Sequence, residues 1–117
     1  MNLNNMIEKI ASQHGLECEE DEYCGKAEKY MVYTYEDEKP ALYGDNQVLA
    51  DTAYIQIQIV CPKNYNYHSL KKKVRNALEQ VGFSITTIKN FLGNDIYGTK
   101  KMRQIVFQTE YTEGRED

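Results

Sequence analysis

The side chains here with reactivity suited to catalysis or metal binding are His14, His68, Cys18, Cys24, Cys61 and the carboxylates. A hydrolase or transferase of this size requires a nucleophile with its base, a carboxylate pair, a metal cluster or a phosphate-binding loop. Their spacing assembles none of these. His14 falls where a first helix should end, a position at which the helix dipole favours a cation, and His68 falls where a second helix begins. Cys18 and Cys24, with His14 as a third candidate, lack the C-x₂₋₄-C spacing and the fourth ligand of a structural zinc site. The glycines occur singly, so no loop can cradle phosphate. The run "ECEEDEYC" has neither the alternating oxygen ligands nor the central glycine of a calcium loop. The expectation is a protein that is not an enzyme and that holds no metal or cofactor. An odd number of irregularly spaced cysteines argues against a disulfide framework and for a reducing cytoplasm, with a Cys18–Cys24 bridge the one pairing left open.

Surface character is more informative. Lys71, Lys72, Lys73 and Arg75 form a basic patch that could meet phosphates or an acidic neighbour, or serve as the solvated face opposite Leu70 and Val74. Ten tyrosines are present, and Tyr23, Tyr30, Tyr33, Tyr35, Tyr43 and Tyr54 cluster in the first half. Tyrosine suits interfaces because it buries a large ring while keeping a hydroxyl for polar contact. Acidic neighbours would repel a nucleic-acid backbone, so protein contact is favoured. The net charge of −4 is unevenly placed: residues 1–60 carry four bases against twelve acids, and residues 61–117 carry ten against six.

At 117 residues, with 41% hydrophobic and 27% charged side chains, the chain suits one globular domain with one core. No apolar run is long enough to span a membrane, and the N-terminus lacks the basic flank and apolar stretch of a secretion signal. Leu3, Met6, Ile7, Ile10 and Ala11 recur at helical spacing between a capping Asn2 and a terminating Gly15, predicting a helix over 3–13. Residues 16–30 break periodicity and read as a solvated loop with room for a short strand. Alternation predicts strands over 30–36 and 53–61, separated by an acidic loop from Glu36 to Asp51. Pro62 ends the second strand, and Tyr67, Leu70, Val74, Ala77, Leu78 and Val81 predict a helix over 67–81 that stops at Gly82. "FSITTIKNFL" and "KKMRQIVFQTEY" are two further strands, followed by a polar, frayed tail over 112–117. The order helix, strand, strand, helix, strand, strand predicts an α+β fold. Its sheet is expected to be mainly antiparallel, with four strands or slightly more, and to carry both helices on one face.

The stretch "YGDNQVLADTAYIQIQIVCPKNYNYHSLKKKVRNALEQVGF" resembles the tail-terminator or tail-completion family of long, non-contractile-tailed bacteriophages and prophages. The matching residues are Tyr43 and Asp45 in an acidic aromatic loop, Tyr54, Gln56 and Gln58 in a strand, and Lys63 and Tyr65 in a turn. Leu70, Lys73, Val74, Ala77, Leu78, Gly82 and Phe83 match the following helix, and "NDIYGTKKMRQIVF" extends the likeness, which covers about residues 30–112. Val60 and Cys61 depart from the tryptophan-containing strand end of that family.

The resemblance implies a structural virion component, commonly a ring of six subunits, that caps the tail tube, ends its polymerisation and offers a docking surface to the filled head. Implied partners are further copies of itself, the tail-tube protein and head–tail connector proteins, with DNA able to pass through the ring without specific binding. The implied location is the bacterial host cytoplasm during assembly and the head-proximal end of the mature tail. A head-to-tail connector or stopper is the alternative, and a small nucleic-acid-binding regulator using Lys71–Arg75 a more distant one. The candidate interface comprises Glu36, Asp37, Glu38, Tyr43, Asp45, Asp51, Tyr54, Gln56, Gln58, Lys71, Lys72 and Arg75.

Overall fold

The computed structural model describes residues 2–44, 47–94, 98 and 100–114, with the backbone alone described at 42 and 43. Helix α1 spans Leu3–Gln13. The Asn2 side chain caps it, accepting from the backbone N–H of Asn4 at 2.8 Å and of Asn5 at 3.3 Å. Those contacts satisfy two of the donors left free at a helix start. Its buried stripe is Ile7, Ile10 and Ala11. Helix α2 spans Tyr67–Gln80 and buries Leu70, Val74 and Leu78. Gly15 at φ +72° and Gly82 at φ +109° turn the chain out of the two helices. Glycine reaches such positive φ without a Cβ penalty.

The strands are β1 (Glu17–Glu20), β2 (Tyr30–Gly44), β3 (Gln47–Pro62), β4 (Ser84–Asn94) and β5 (Lys101–Gly114). They form one sheet in the order β1-β2-β3-β5-β4, in which β1 runs parallel to β2 and every other neighbour is antiparallel. The fold is α+β with two helices, as expected. The sheet is mainly antiparallel, as expected, but mixed and five-stranded: the stretch read as a loop with room for a short strand contributes β1, the one strand that pairs in parallel. Its acids do not prevent pairing: backbone groups make the ladder, Leu16 and Cys18 turn toward the core, and the carboxylates point to water.

In-register partners build the core in rows. Tyr33, Ile57, Phe107 and Ile88 are successive cross-strand partners, as are Met31, Ile59 and Ile105, whose row ends at exposed Asn90. Ile7, Ile10, Val74 and Leu78 close over these rows from the helices, in one continuous cluster. Each fully buried side chain of this size contributes roughly 1.5–3 kcal/mol, so the helix-covered face dominates the stability.

The expected loop over 36–51 is not a loop. Strand β2 continues through Gly44 and β3 begins at Gln47, so the segment is a hairpin. Strand β4 starts at Ser84, whose level in the ladder is that of Glu110 and Tyr54. Beyond that level only β2, β3 and β5 continue, forming a three-stranded arm that helps give the molecule its extents of 57 × 24 × 22 Å. Backbone pairing holds this arm, so its charges and Pro40 are tolerated: β2 is an edge there, and a bulge at Glu36 shifts its register. Residues 112–114 of the expected frayed tail also belong to the arm, within β5, while 115–117 lie outside the described residues.

Candidate functional site

Both helices pack on one side of the sheet, leaving the other side without a helical layer. That open face carries Val32 and Thr34 from β2, Tyr54, Gln56, Gln58 and Val60 from β3, and Gln104, Val106 and Gln108 from β5. Val60 and Val106 are nonetheless buried, surrounded by these glutamines. At the β1 margin Tyr23 stacks on Tyr30, with ring centroids 3.9 Å apart and planes at 11°. The Tyr23 hydroxyl donates to Glu17 Oε1 at 2.8 Å and accepts from the Ala27 N–H at 2.8 Å, folding the loop over 21–29 onto the strand.

The candidate residues separate into three places. Tyr54, Gln56 and Gln58 share the open face, each half-buried. Glu36, Asp37 and Glu38 are exposed at the root of the arm, where Asp37 pairs with Lys39 at 3.7 Å, and half-buried Asp51 lies further out on β3. Asp45 and the Tyr43 side chain lie outside the described residues. Lys71, Lys72 and Arg75 belong to the helix layer behind the sheet. Lys72 is exposed, Lys71 lies 5.8 Å from the Tyr67 ring, and Arg75 Nε approaches Glu79 at 3.9 Å. They do not form one surface with the glutamines.

Topology converts the charge asymmetry of the sequence into a spatial one. Helix α1 packs over β1 and β2, and α2 packs beside β4. One edge of the sheet therefore carries Glu17, Glu19, Glu20 and the acids that follow β1, together with Glu36–Glu38. The opposite edge carries Lys89 on β4, Lys101 at the start of β5 and the basic side of α2.

Two of the tyrosines assigned to protein contact are structural instead. Tyr33 is 1% exposed and its hydroxyl donates to Glu8 Oε2 at 2.8 Å, while Tyr35 donates to Asn4 Oδ1. Burial, then the bond to Glu8, pushes the Tyr33 phenol well above its usual range. Their alternation in phase with Met31 was the signal for the inward face. Burial also pushes the Cys18 thiol up to about 12, with the charges of Glu8 and Glu19 adding, and it raises Cys61 against the opposing pull of Arg103 and Lys29. Both are protonated thiols near neutral pH. All three cysteines are free, so Cys18 and Cys24 do not pair.

His14 caps α1, and its Nδ1 lies 2.8 Å from the Ile10 carbonyl, to which it donates. It lines an open cleft of about 400 Å³ together with Gln13, Tyr65, Asn66, Ser69, Leu70 and Lys73, between the end of α1 and the start of α2. The cleft contains no carboxylate and no cysteine. His68 is exposed and tilted against the Tyr67 ring. Among the described residues no three His, Cys, Asp or Glu side chains are grouped to hold a metal ion, and no helix is long and apolar enough to cross a membrane. No protein-family model and no curated protein matches the chain.

Proposed function

We propose that this protein is a structural subunit that associates head to tail with copies of itself into a closed ring. One observation carries the reading: the two edges of a single sheet bear opposite charge, so the acidic edge of one copy complements the basic edge of the next. A heterologous contact of this kind uses two different patches, leaves one of each unfilled after every addition, and ends only by closing.

The resemblance over residues 30–112 extends the reading to a ring, commonly of six, that caps the phage tail tube, ends its growth and receives the head. That span covers β2 to β5, the antiparallel part of the sheet with α2 across it. Such a protein acts in the host cytoplasm and ends at the head-proximal end of the tail.

Sedimentation at high protein concentration, with and without tail-tube protein, tests this. Concentration-dependent assembly that weakens with salt is expected, because exposed charges are screened beyond about 8–10 Å at ordinary ionic strength. Reversing Lys72 and Arg75 to glutamate should weaken assembly and leave the fold intact. A strict monomer under both conditions refutes self-association, and binding to a portal-side adaptor in place of the tail tube reassigns the ring to the connector.

A further inference from the structure

We infer that β4 is the strand on which the sheet of one copy continues into the sheet of the next, by antiparallel pairing with that copy's β1. The inference rests on the head-to-tail reading and supplies its contact. Soluble proteins blunt exposed strand edges with short strands, charges, proline or bulges. Beyond the four residues of β1, the outer edge of β2 carries Glu36, Glu38, Pro40 and three register shifts, which close it to a further strand and leave β1 as the pairing stretch of that edge. Strand β4 runs eleven residues with one charged side chain, Lys89, no proline and one bulge between Ile85 and Thr87. It also exposes Phe91 by 49% and Leu92 by 45%. An edge of that length and apolarity is a template for another strand.

Strand direction and facing select the occupant. Strands β1, β2 and β5 run one way and β3 and β4 the other. When copies share one orientation, as rotation about an axis along the strands requires, β4 of one copy meets β1 of the next antiparallel. Direct cross-strand partners lie on the same side of a sheet, and Lys89, Val106, Gln58, Val32 and Glu19 are successive partners from one edge to the other. Lys89 and Glu19 therefore lie on the open face, and Glu17, two residues before Glu19, lies there too. Register slips that keep the open faces continuous come in steps of two. Lys89 thus stays on the side occupied by Glu17 and Glu19 in each of them. Glu17 uses Oε1 for the Tyr23 hydroxyl and Glu19 uses Oε2 for the Cys24 N–H, so each carboxylate has a second oxygen for a cation.

The test combines sedimentation with amide hydrogen exchange on the full chain, from micromolar to millimolar concentration. Exchange at residues 87–92 should slow as the protein associates. Lys89→Glu should weaken association by about tenfold, as expected when an attractive cross-strand pair becomes repulsive. Glu17→Gln with Glu19→Gln, which keeps hydrogen-bonding oxygens at both positions, should weaken it less. In that background Lys89→Glu should cost at most about a third of its loss alone, the coupling expected of contacting residues. Association with unchanged exchange in β4, or with additive losses, overturns the β4 pairing and leaves the head-to-tail reading standing. Absence of association at millimolar concentration overturns both.

Discussion

Gly82 sets the angle at which α2 hands the chain to β4, and its replacement by alanine measures how rigidly that edge is held. The backbone there has φ +109°, a conformation that strains an L-residue. That strain costs about 1 to about 2 kcal/mol by the standard of left-handed backbone. The added Cβ would sit 3.2 Å from Cε2 of Tyr111, closer than side chains normally tolerate. Tyr111 is not free to withdraw, since its ring packs 5.0 Å from buried Phe83. Crowding therefore adds about 1 kcal/mol. The unfolded chain loses freedom on the same substitution, which offsets about 0.4–1 kcal/mol. The net expectation for Gly82→Ala is a loss of about 2 kcal/mol. Gly15 provides the control, with φ +72° and no atom within 4 Å of an added Cβ. Gly15→Ala should therefore cost about 1 kcal/mol. Urea unfolding followed by circular dichroism separates the two, and thermal midpoints should differ by about 4 °C or more. Equal losses, or a larger loss at Gly15, would refute the contact with Tyr111 as the source of the difference.

Two further outcomes follow from the tether between α1 and β2 and from the buried acids. Tyr33→Phe keeps the ring and removes the bond to Glu8. It should lower stability by about 1 kcal/mol in urea titrations, the value of an ordinary hydrogen bond with an exposed acceptor. Cys18, Cys61, Tyr30, Tyr33 and Tyr35 all have folded-state pKa values raised chiefly by burial. The unfolded thiols ionise near 9.0 and the phenols near 10.0, so the stability these neutral groups provide is complete only well below pH 9 and is lost as pH rises through 9 and beyond. The thermal midpoint should fall between pH 8.5 and pH 11, and Cys18→Ala should flatten the onset of that fall; a flat profile refutes the assignment.

Legibility in the sequence followed which interaction holds each element. Both helices are visible because one face is buried at a spacing of three and four, and because Asn2, Gly15 and Gly82 mark their limits. The central parts of β2 and β3 are visible because Met31, Tyr33 and Tyr35 and then Ile55, Ile57 and Ile59 alternate into the core. The arm and β1 are held by ladder hydrogen bonds at sheet edges, where no side-chain period is imposed, so acids, Pro40 and Gly44 read as loop. The Gly-Asp-Asn sequence between "ALY" and "QVLA" was the available trace of a hairpin. Separation of Tyr54, Gln56 and Gln58 from the basic side of α2 depends on which face the helices cover, a tertiary fact without a local signature. The charge asymmetry was legible; its conversion into opposed edges required the strand order, since a β1-β5 neighbourhood would have cancelled it.

That strand order also bears on what the arm is for. Copies joined through β4 and β1, and related by rotation about an axis along the strands, would carry every arm on the same rim. The arm lies beyond the level at which β4 begins, so edge pairing of the bodies leaves it uncovered. In the proposed ring, a rim of arms, each with Glu36, Asp37 and Glu38 at its root, would offer a surface to a neighbour of different identity, separate from the contact between copies. Neutralising the three together as Glu36→Gln, Asp37→Asn and Glu38→Gln preserves the side-chain oxygen by which Asp37 accepts from the Glu38 N–H at 2.9 Å. All three side chains are exposed. Each change should therefore shift stability by no more than about 0.5 kcal/mol. Self-association should match that of the unaltered chain, while binding to tail-tube or head-side protein, measured by co-sedimentation at two salt concentrations, should weaken most at low salt, where the lost charges are least screened. Loss of self-association in this variant would move the arm from the rim to the contact between copies, and unchanged binding at low salt would remove its acids from docking.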